Sequence, residues 1–581
     1  MTKNPQRLKQ PQSKSRNADR QSSAPPEAAA APLRALADWM SYQRDAWERT
    51  VLFWDTVRQR GTNMIEHERQ GLPPVLKFEH EQVLDARRFE RPVNYALLRI
   101  TRIEGMHWDE RVDDSKSPVM VIDPRAGHGP GIGGFKRDSE VGMALREGHP
   151  VYFVIFFPEP CEGQTLKDVH HALCRFVDTL AERHAGKRPI LYGNCQAGWA
   201  AALIAADRPK VPGAAVLNGS PLSYWEGEPG ANPMRLYGGL SGGVWLTHLL
   251  GDLGDGVFDG AWLAANFEQL KPGRTLWGKH ASLFADVDGE RERFLEFERW
   301  WNGFHNLSRE EIVAIVQKLF IGDQLEQGEL NVHDNKDVNL RAIRSPLVIF
   351  CSYGDNITPP HQALGWVPAV YKNTADLKRA GQRIVYLINP HVGHLGIFVS
   401  AKIARLQHRA ILEHMDDIRD LEPGLYEMQI DNPTRSDDAR RPDYTVRFEE
   451  RDVSDLKFPH PRGAFERARK VSDMNERLYQ TFMSPWVRAV ANPWLATWMR
   501  WMHPMRLKVA TASERVIPWM SGVDTLAREV EDNRHPVDDE NPYKQQEQDL
   551  IDTVTDAFEK GRELRDHGLE SIFRALYGSG P

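Results

Sequence analysis

Four cysteines occur in the 581 residues, and one of them stands where a thiol does chemistry. In the stretch Ile190-Leu191-Tyr192-Gly193-Asn194-Cys195-Gln196-Ala197-Gly198, an apolar strand runs directly into an Ala-rich helix with Cys195 at the turn. A nucleophile on so sharp a turn needs small residues two positions before and after it, so that backbone can pass backbone. Here they are Gly193 and Ala197. The turn also puts the sulfur at a helix N-terminus, whose positive end favours thiolate over thiol. The next amide, that of Gln196, faces the place where an oxyanion develops on an attacked carbonyl. The chemistry this points to is nucleophilic attack by a thiol on an acyl group.

A thiol used in this way needs a base and a group that orients the base, and both are expected later in the chain, at the ends of further strands. After the strand Leu347 to Phe350 comes Cys351-Ser352-Tyr353-Gly354-Asp355-Asn356-Ile357-Thr358-Pro359, in which Asp355 is the only carboxylate and so the expected orienting acid. After the strand Ile384 to Ile388 comes Asn389-Pro390-His391-Val392-Gly393-His394-Leu395-Gly396. His394 is the expected base, because Gly393 and Gly396 allow close backbone approach, and His391 is the rival. The order Cys, Asp, His at successive strand ends, more than any one of these residues, carries the functional reading.

The loop after the first core strand, Asp123-Pro124-Arg125-Ala126-Gly127-His128-Gly129-Pro130-Gly131-Ile132-Gly133-Gly134-Phe135-Lys136, occupies the position that supplies the second oxyanion donor in sheets of this kind. Gly127, His128 and Gly129 are the expected donors or substrate contacts. The same loop contains Gly129-x-Gly131-x-x-Gly134, so dinucleotide binding has to be weighed. A lone fingerprint of this form is weak, and Pro130 removes one amide from the phosphate cradle. A third reading gives the glycines, with Arg125 or Lys136, to the phosphates of a coenzyme A substrate. No CxxC pair has zinc spacing, and neither a metal nor a cofactor is expected.

Short apolar runs without alternation, separated by helical stretches, position these residues from about Tyr95 onward, the pattern of a mainly parallel sheet covered on both faces. The chain divides into a disordered basic tail (1–32), an N-terminal helical segment (33–92) and the first part of an α/β core (93–219). A lid insertion (220–341), the second part of the core (342–420) and an extension made of a hairpin and then helices (421–581) follow. In the N-terminal segment Leu36, Met40, Trp47, Val51, Trp54 and Val57 recur at three-to-four spacing and predict an amphipathic helix. Residues 78–91 read as charged and irregular, and 529–548 as a charged linker before a last amphipathic helix, Leu550 to Tyr577.

With 41% hydrophobic and 27% charged residues the composition is globular, and a net charge of −7 argues against nucleic acid as a partner. The longest apolar run, Ala197 to Ala206, is far short of the roughly 20 residues a membrane span needs. Few, scattered cysteines fit a reducing, cytoplasmic compartment.

Taken together, the motifs resemble the poly(3-hydroxyalkanoate) synthase family of α/β-hydrolase enzymes. Its G-x-C-x-G-G box is matched by Gly193 to Gly198 except at Ala197, its Asp-x-Ile-x-Pro stretch by Asp355 to Pro359, and its Gly-His loop by Gly393-His394. The resemblance covers about residues 33–400, and within it the chain looks most like an uncharacterised, synthase-like bacterial family with a domain of unknown function. It implies an α/β-hydrolase core and a Cys195-His394-Asp355 triad acting on hydroxyacyl thioesters such as hydroxyacyl-CoA, or on polyhydroxyalkanoate polyester. The alternatives are a catalytically weak granule-associated or scaffolding protein on the same fold, and an ordinary capped thioesterase or esterase. The extension lies beyond the family's usual end. Its Trp486, Trp494, Trp498, Trp501 and Trp519, interleaved with Arg488, Arg500, Arg506 and Lys508, suit a lipid layer or granule surface, and its last helix suits pairing with a second subunit.

Overall fold

The computed structural model describes residues 27–103, 112–333, 336–432, 442–458 and 462–578. Its centre is a ten-stranded sheet of β1 (Phe78–Asp85), β2 (Tyr95–Ile103), β3 (Val119–Ile122), β4 (Val151–Phe156), β5 (Ile190–Asn194), β6 (Ala214–Asn218), β7 (Leu347–Ser352), β8 (Arg383–Asn389), β9 (Gly424–Asp431) and β10 (Thr445–Arg451). The strand order is β1-β2-β4-β3-β5-β6-β7-β8-β9-β10. From β4 to β9 neighbouring strands are parallel; β1, β2 and β10 are antiparallel to theirs. Every residue of β3 to β7 is buried, which is why these strands read as unbroken apolar runs.

The helices that matter to the site are α1 (Glu27–Arg69), α2 (Leu166–Arg183), α3 (Ala197–Asp207), α4 (Met234–Leu240), α5 (Trp245–Leu253), α6 (Ala261–Leu270), α7 (Arg462–Leu478), α8 (Ser484–Val490), α9 (Pro493–Trp501) and α10 (Pro542–Tyr577). Thr165 and Asp168 form a capping box that starts α2. α3 is apolar all round and buried from Ala197 to Ala206, so the helix behind Cys195 is clamped on every side. Between β6 and β7 the chain leaves the sheet and builds α4 to α6 and a π-helical turn, Ile315–Ile321.

Several expectations are corrected. Residues 78–85 form an edge strand paired with β2; its face is charged, with Glu81 opposite Arg99, so it carries no apolar signal. The helical segment starts at Glu27 instead of 33, and the rest of the expected disordered tail lies outside the described residues. Along α1, Val51 and Val57 are buried, but Leu36, Met40, Trp47 and Trp54 are exposed. The helix docks through charge instead: buried Arg49 bonds Asp45 at 2.7 Å and Glu547 of α10 at 2.6 Å, and Arg58 bonds Glu514 and Asp524. The expected linker at 529–548 is mostly helix, since Ser521–Asp532 is one and α10 begins at Pro542.

Candidate active site

The parallel register sets the C-terminal ends of β5, β6, β7 and β8 side by side, with Asn194 opposite Asn218, Asn218 opposite Phe350 and Ser352 opposite Asn389. The loops that leave these ends therefore meet. Cys195 follows β5 directly with φ +50°, a left-handed conformation that costs a residue with a side chain about 1–3 kcal/mol. The turn is held by the Cys195 N–H on Asn218 O at 2.8 Å. A Cβ on Gly193 would lie 2.7 Å from Ala197 O and from Gly198 Cα, and one on Gly198 would lie 1.9 Å from Ser220 Oγ. Glycine is thus forced at 193 and 198, while 197 accepts alanine. The Gln196 amide, at the start of α3, has no hydrogen-bond partner among the described residues.

Asp355 and His394 meet 39 residues apart in sequence, with His394 Nδ1 2.7 Å from Asp355 Oδ2. Oδ1 of Asp355 accepts the amides of Ile357 (2.8 Å) and Thr358 (2.9 Å), which fixes the carboxylate. Burial opposes its ionisation, but the charge and hydrogen bond of His394 and these two amides hold it below the usual carboxylate range. His394 is also fully buried, which alone would lower its pKa; the charges of Asp355 and Cys195 and hydrogen bonds to both push it up to about 10. Cys195 and Asp355 therefore both act on this ring, and its Nδ1 faces the acid. His391 is exposed and its loop instead braces the turn, with its N–H on Asn389 Oδ1.

The loop after β3 departs from expectation. The Gly129 amide is spent on Gly303 O at 2.8 Å, and the His128 ring is buried against Trp301, its Nδ1 2.9 Å from that residue's carbonyl. Gly127, at φ +89°, packs on Gly260. This loop is a seat for the lid, and the Gly129 amide is not free for an oxyanion. Nor is it a phosphate cradle: the amides of Gly131 and Gly133 bind the chain's own Asp123 at 2.6 and 3.1 Å, and Arg125 is paired with buried Glu311. The lid contacts of His128 and Gly129 were not legible, because Trp301 and Gly303 lie some 170 residues away.

Two polar side chains escaped the sequence reading. Thr358 Oγ1 lies 2.8 Å from Asp355 Oδ2 and 2.6 Å from Gly219 O, so its single proton ties the acid to the end of β6. Tyr224 lines the cavity that holds Cys195, Gln196 and Thr358, and its buried hydroxyl has no hydrogen-bond partner. Its backbone is anchored on both sides, N–H to Asp323 and C=O to Gln362, and its ring packs 4.7 Å from that of Phe320. Burial, then a charge on Cys195, raise the phenol well above its ordinary pKa, so it is a proton donor at neutral pH. The position of Thr358 inside the Asp-x-Ile-Thr-Pro stretch was a usable signal; nothing marked Tyr224.

The cavity is narrow. It measures about 10 Å³, roughly the space of one water, under a roof of Met234 and Arg235 (α4), Phe267 (α6) and Phe320. The extension holds that roof down: Arg235 bonds Glu570 of α10 at 2.8 Å, and Tyr577 donates to Gly239 O. Below the site, Asn194 donates to Glu140 (2.6 Å) and Asp123 (3.3 Å) and accepts from Asn218, so two buried carboxylates share one amide. Elsewhere among the described residues, one group brings metal-type donors together, His170, Cys174 and Asp207, but it offers three ligands and Arg208 already lies beside Asp207.

The strand order, the elbow at Cys195 and the acid and histidine on successive loops make this an α/β-hydrolase fold. No helix among the described residues is long and apolar enough to cross a membrane. Among solved structures, the monoacylglycerol lipase of Paleococcus ferrophilus aligns with 56% of this chain and 99% of its own, at 12% identity and a TM-score of 0.31. The thioesterase domain from the curacin biosynthetic pathway aligns with 58% of this chain and 99% of its own, at 12% identity and a TM-score of 0.30. Over 569 residues the chain is 43% identical to a Rhizobium meliloti protein named "Uncharacterized protein in ackA 5'region", covering 95% of this chain and 76% of that one. Residues 45–581 match the family described as "Protein of unknown function (DUF3141)", and the chain belongs to that family.

Proposed function

We propose that this protein is a cysteine-dependent acyl-transfer enzyme or hydrolase acting on thioesters or esters, with Cys195, His394 and Asp355 as its working groups. What carries the reading is one observation: a thiol on a left-handed strand-to-helix turn, at the same end of the sheet as an imidazole whose Nδ1 is 2.7 Å from a buried carboxylate. Cys195 Sγ, its proton already held by His394, bonds to the acyl carbon, and the carbonyl electrons move onto oxygen. The Gln196 N–H and the Tyr224 O–H are the donors placed to hold that oxyanion, the second replacing the amide that the β3 loop does not offer. Collapse breaks the bond to the leaving thiolate or alkoxide, which takes the proton from His394. Water, a hydroxyl or a thiol then attacks the S-acyl enzyme and gives its proton to His394 in turn, while Asp355 keeps the ring in one tautomer.

Hydroxyacyl thioesters are the favoured substrates, because the box around Cys195 is similar to that of the polyester synthases. A cavity of about 10 Å³ takes no acyl group, so this reading requires α4, α6 and the π-helical turn to move. The same observation favours a second reading, a protein that keeps the fold without turnover. Intact mass spectrometry after incubation with a hydroxyacyl-CoA decides between them: wild type gains one acyl group and Cys195→Ala gains none. An unlabelled wild type, or equal labelling of the two, overturns the enzymatic reading. Release of free acid from simple thioesters identifies water as the acceptor.

A further inference from the structure

From Arg477 to Ser513 there is no Asp or Glu but five basic residues and four tryptophans, in a chain of net charge −7. The helices in this stretch are amphipathic with their apolar faces turned outward. On α9, Trp494, Trp498 and Trp501 stand at i, i+4 and i+7, and it is Ala496 that is buried. On α8, Trp486 and Val490 face out while Ser484 is buried. Trp494 is 73% exposed and Trp486 76%, whereas Trp366 in the core is 0%. Upstream the ridge continues along α7 as Met474, Leu478 and Phe482, which line a surface groove together with Lys470, Arg477 and Asp473. Neither Lys470 nor Arg477 forms an ion pair among the described residues, whereas Arg488 and Arg500 are paired, with Asp252 and Glu159.

We infer that this ridge, from Lys470 to Trp501, is a docking surface for the anionic phospholipid surface of a bilayer. The chemistry matches term by term. Exposed tryptophans insert at the headgroup level, where an apolar ring with one N–H donor is most stable. Short helices broken by Pro485 and Pro493 lie in the plane of an interface, and unpaired cations at the flank meet lipid phosphate. From Arg477 onward the absence of acidic residues removes the repulsion that the rest of this acidic chain would meet, and in the upstream part only Asp473 and Glu476 oppose it. The ridge is also anchored: Ser484, Arg488 and Tyr479 all bond Asp252 of α5, so a membrane seated on it lies beside the lid insertion.

The test is co-sedimentation of the full-length protein with vesicles of phosphatidylcholine alone or mixed with phosphatidylglycerol. Binding to the mixed vesicles is expected to exceed binding to the neutral ones about tenfold or more and to fall as salt rises. Replacing Trp486, Trp494 and Trp501 with serine should remove binding while the melting curve stays that of wild type, since these side chains are exposed. Lys470→Glu with Arg477→Glu should abolish the preference for anionic lipid. The inference is overturned if wild type binds neither vesicle, if it binds both equally, or if the triple variant binds as wild type does. It is equally overturned if the triple variant only turns a dimer into a monomer in analytical ultracentrifugation without any vesicle binding by wild type, because the occupant is then a second copy of this chain.

Discussion

The same three residue types meet twice in this molecule. At the end of the sheet they are Cys195, His394 and Asp355; between α2 and α3 they are Cys174, His170 and Asp207. In the second group a single ring nitrogen faces both partners, with His170 Nε2 3.1 Å from Asp207 Oδ2 and 3.5 Å from Cys174 Sγ. In the first, Nδ1 is committed to Asp355 and Cys195 interacts with the rest of the ring. An imidazole relays a proton between a nucleophile and a leaving group only when an acid fixes one nitrogen and leaves the other to work. The backbones differ too. His170 and Cys174 share one face of a regular helix at i, i+4, and burial pushes the Cys174 thiol up to about 12. Cys195 sits on a left-handed turn at a helix N-terminus. Residue type is common to both groups; the strained turn at a helix N-terminus belongs to one.

Exchanging the two histidines is the strongest way to break this comparison. His394→Ala should lower kcat/KM for a thioester by about 10³–10⁴-fold, beyond the stability cost of about 3 kcal/mol that removing one partner of the buried His394–Asp355 pair brings. His170→Ala should leave kcat near wild type and cost about 3 kcal/mol of stability, the penalty when a buried pair loses one partner. Steady-state kinetics beside thermal melts reads both. A folded His170→Ala protein without turnover would invert the assignment.

The oxyanion donor comes next. Tyr224→Phe keeps the ring on Phe320 and removes only the hydroxyl, so kcat should fall about 10²–10³-fold while KM stays within about twofold. A change confined to KM would make Tyr224 a substrate contact. Thr358→Val acts more weakly, through Asp355: about a tenfold loss of kcat, with a stability cost of about 1–2 kcal/mol because Gly219 O loses its donor. In the second group, Asp207→Asn should leave kcat unchanged.

Much of the first group was legible in the chain because its elements are local. An apolar strand, a small-residue turn and an Ala-rich helix are contiguous around Cys195, and Asp355 and His394 each follow a strand by a few residues. The parallel order of those strands then does the rest, since register alone brings their ends together. What was not legible depends on long-range packing. The Gly127 to Gly134 loop looked like a donor loop until the lid claimed the Gly129 amide and Asp123 claimed those of Gly131 and Gly133. The face of α1 was misjudged for a similar reason: its apolar period is genuine, but buried arginines dock the helix and leave Trp47 and Trp54 in solvent. Periodicity reports which side chains can share a face, not which face finds a partner.

The smallest expected effect concerns the layer beneath Cys195, which the second group lacks. Asn194, the residue before Cys195, bonds both Glu140 and Asp123. Burial raises Asp123 to about 6, against the amides of Gly131 and Gly133 and the Asn194 bond; burial and the Asp123 charge raise Glu140 well above its ordinary value. A carboxyl with a raised folded pKa is bound to more protons in the folded state than in the unfolded one. Its contribution is therefore fully present below the unfolded pKa of about 4 and is lost as pH rises through the folded value. Stability should accordingly decline as pH rises from about 4 through about 6 and onward, as Asp123 and then Glu140 are asked to ionise side by side. In Glu140→Gln the side-chain oxygen still accepts from Asn194, but no charge develops next to Asp123, so the decline should flatten and the variant should melt higher than wild type at the alkaline end. Denaturant melts at a series of pH values measure that slope directly. An unchanged slope would mean that Glu140 takes up no proton on folding, and that the turn carrying Cys195 rests on a charged layer instead of a shared proton.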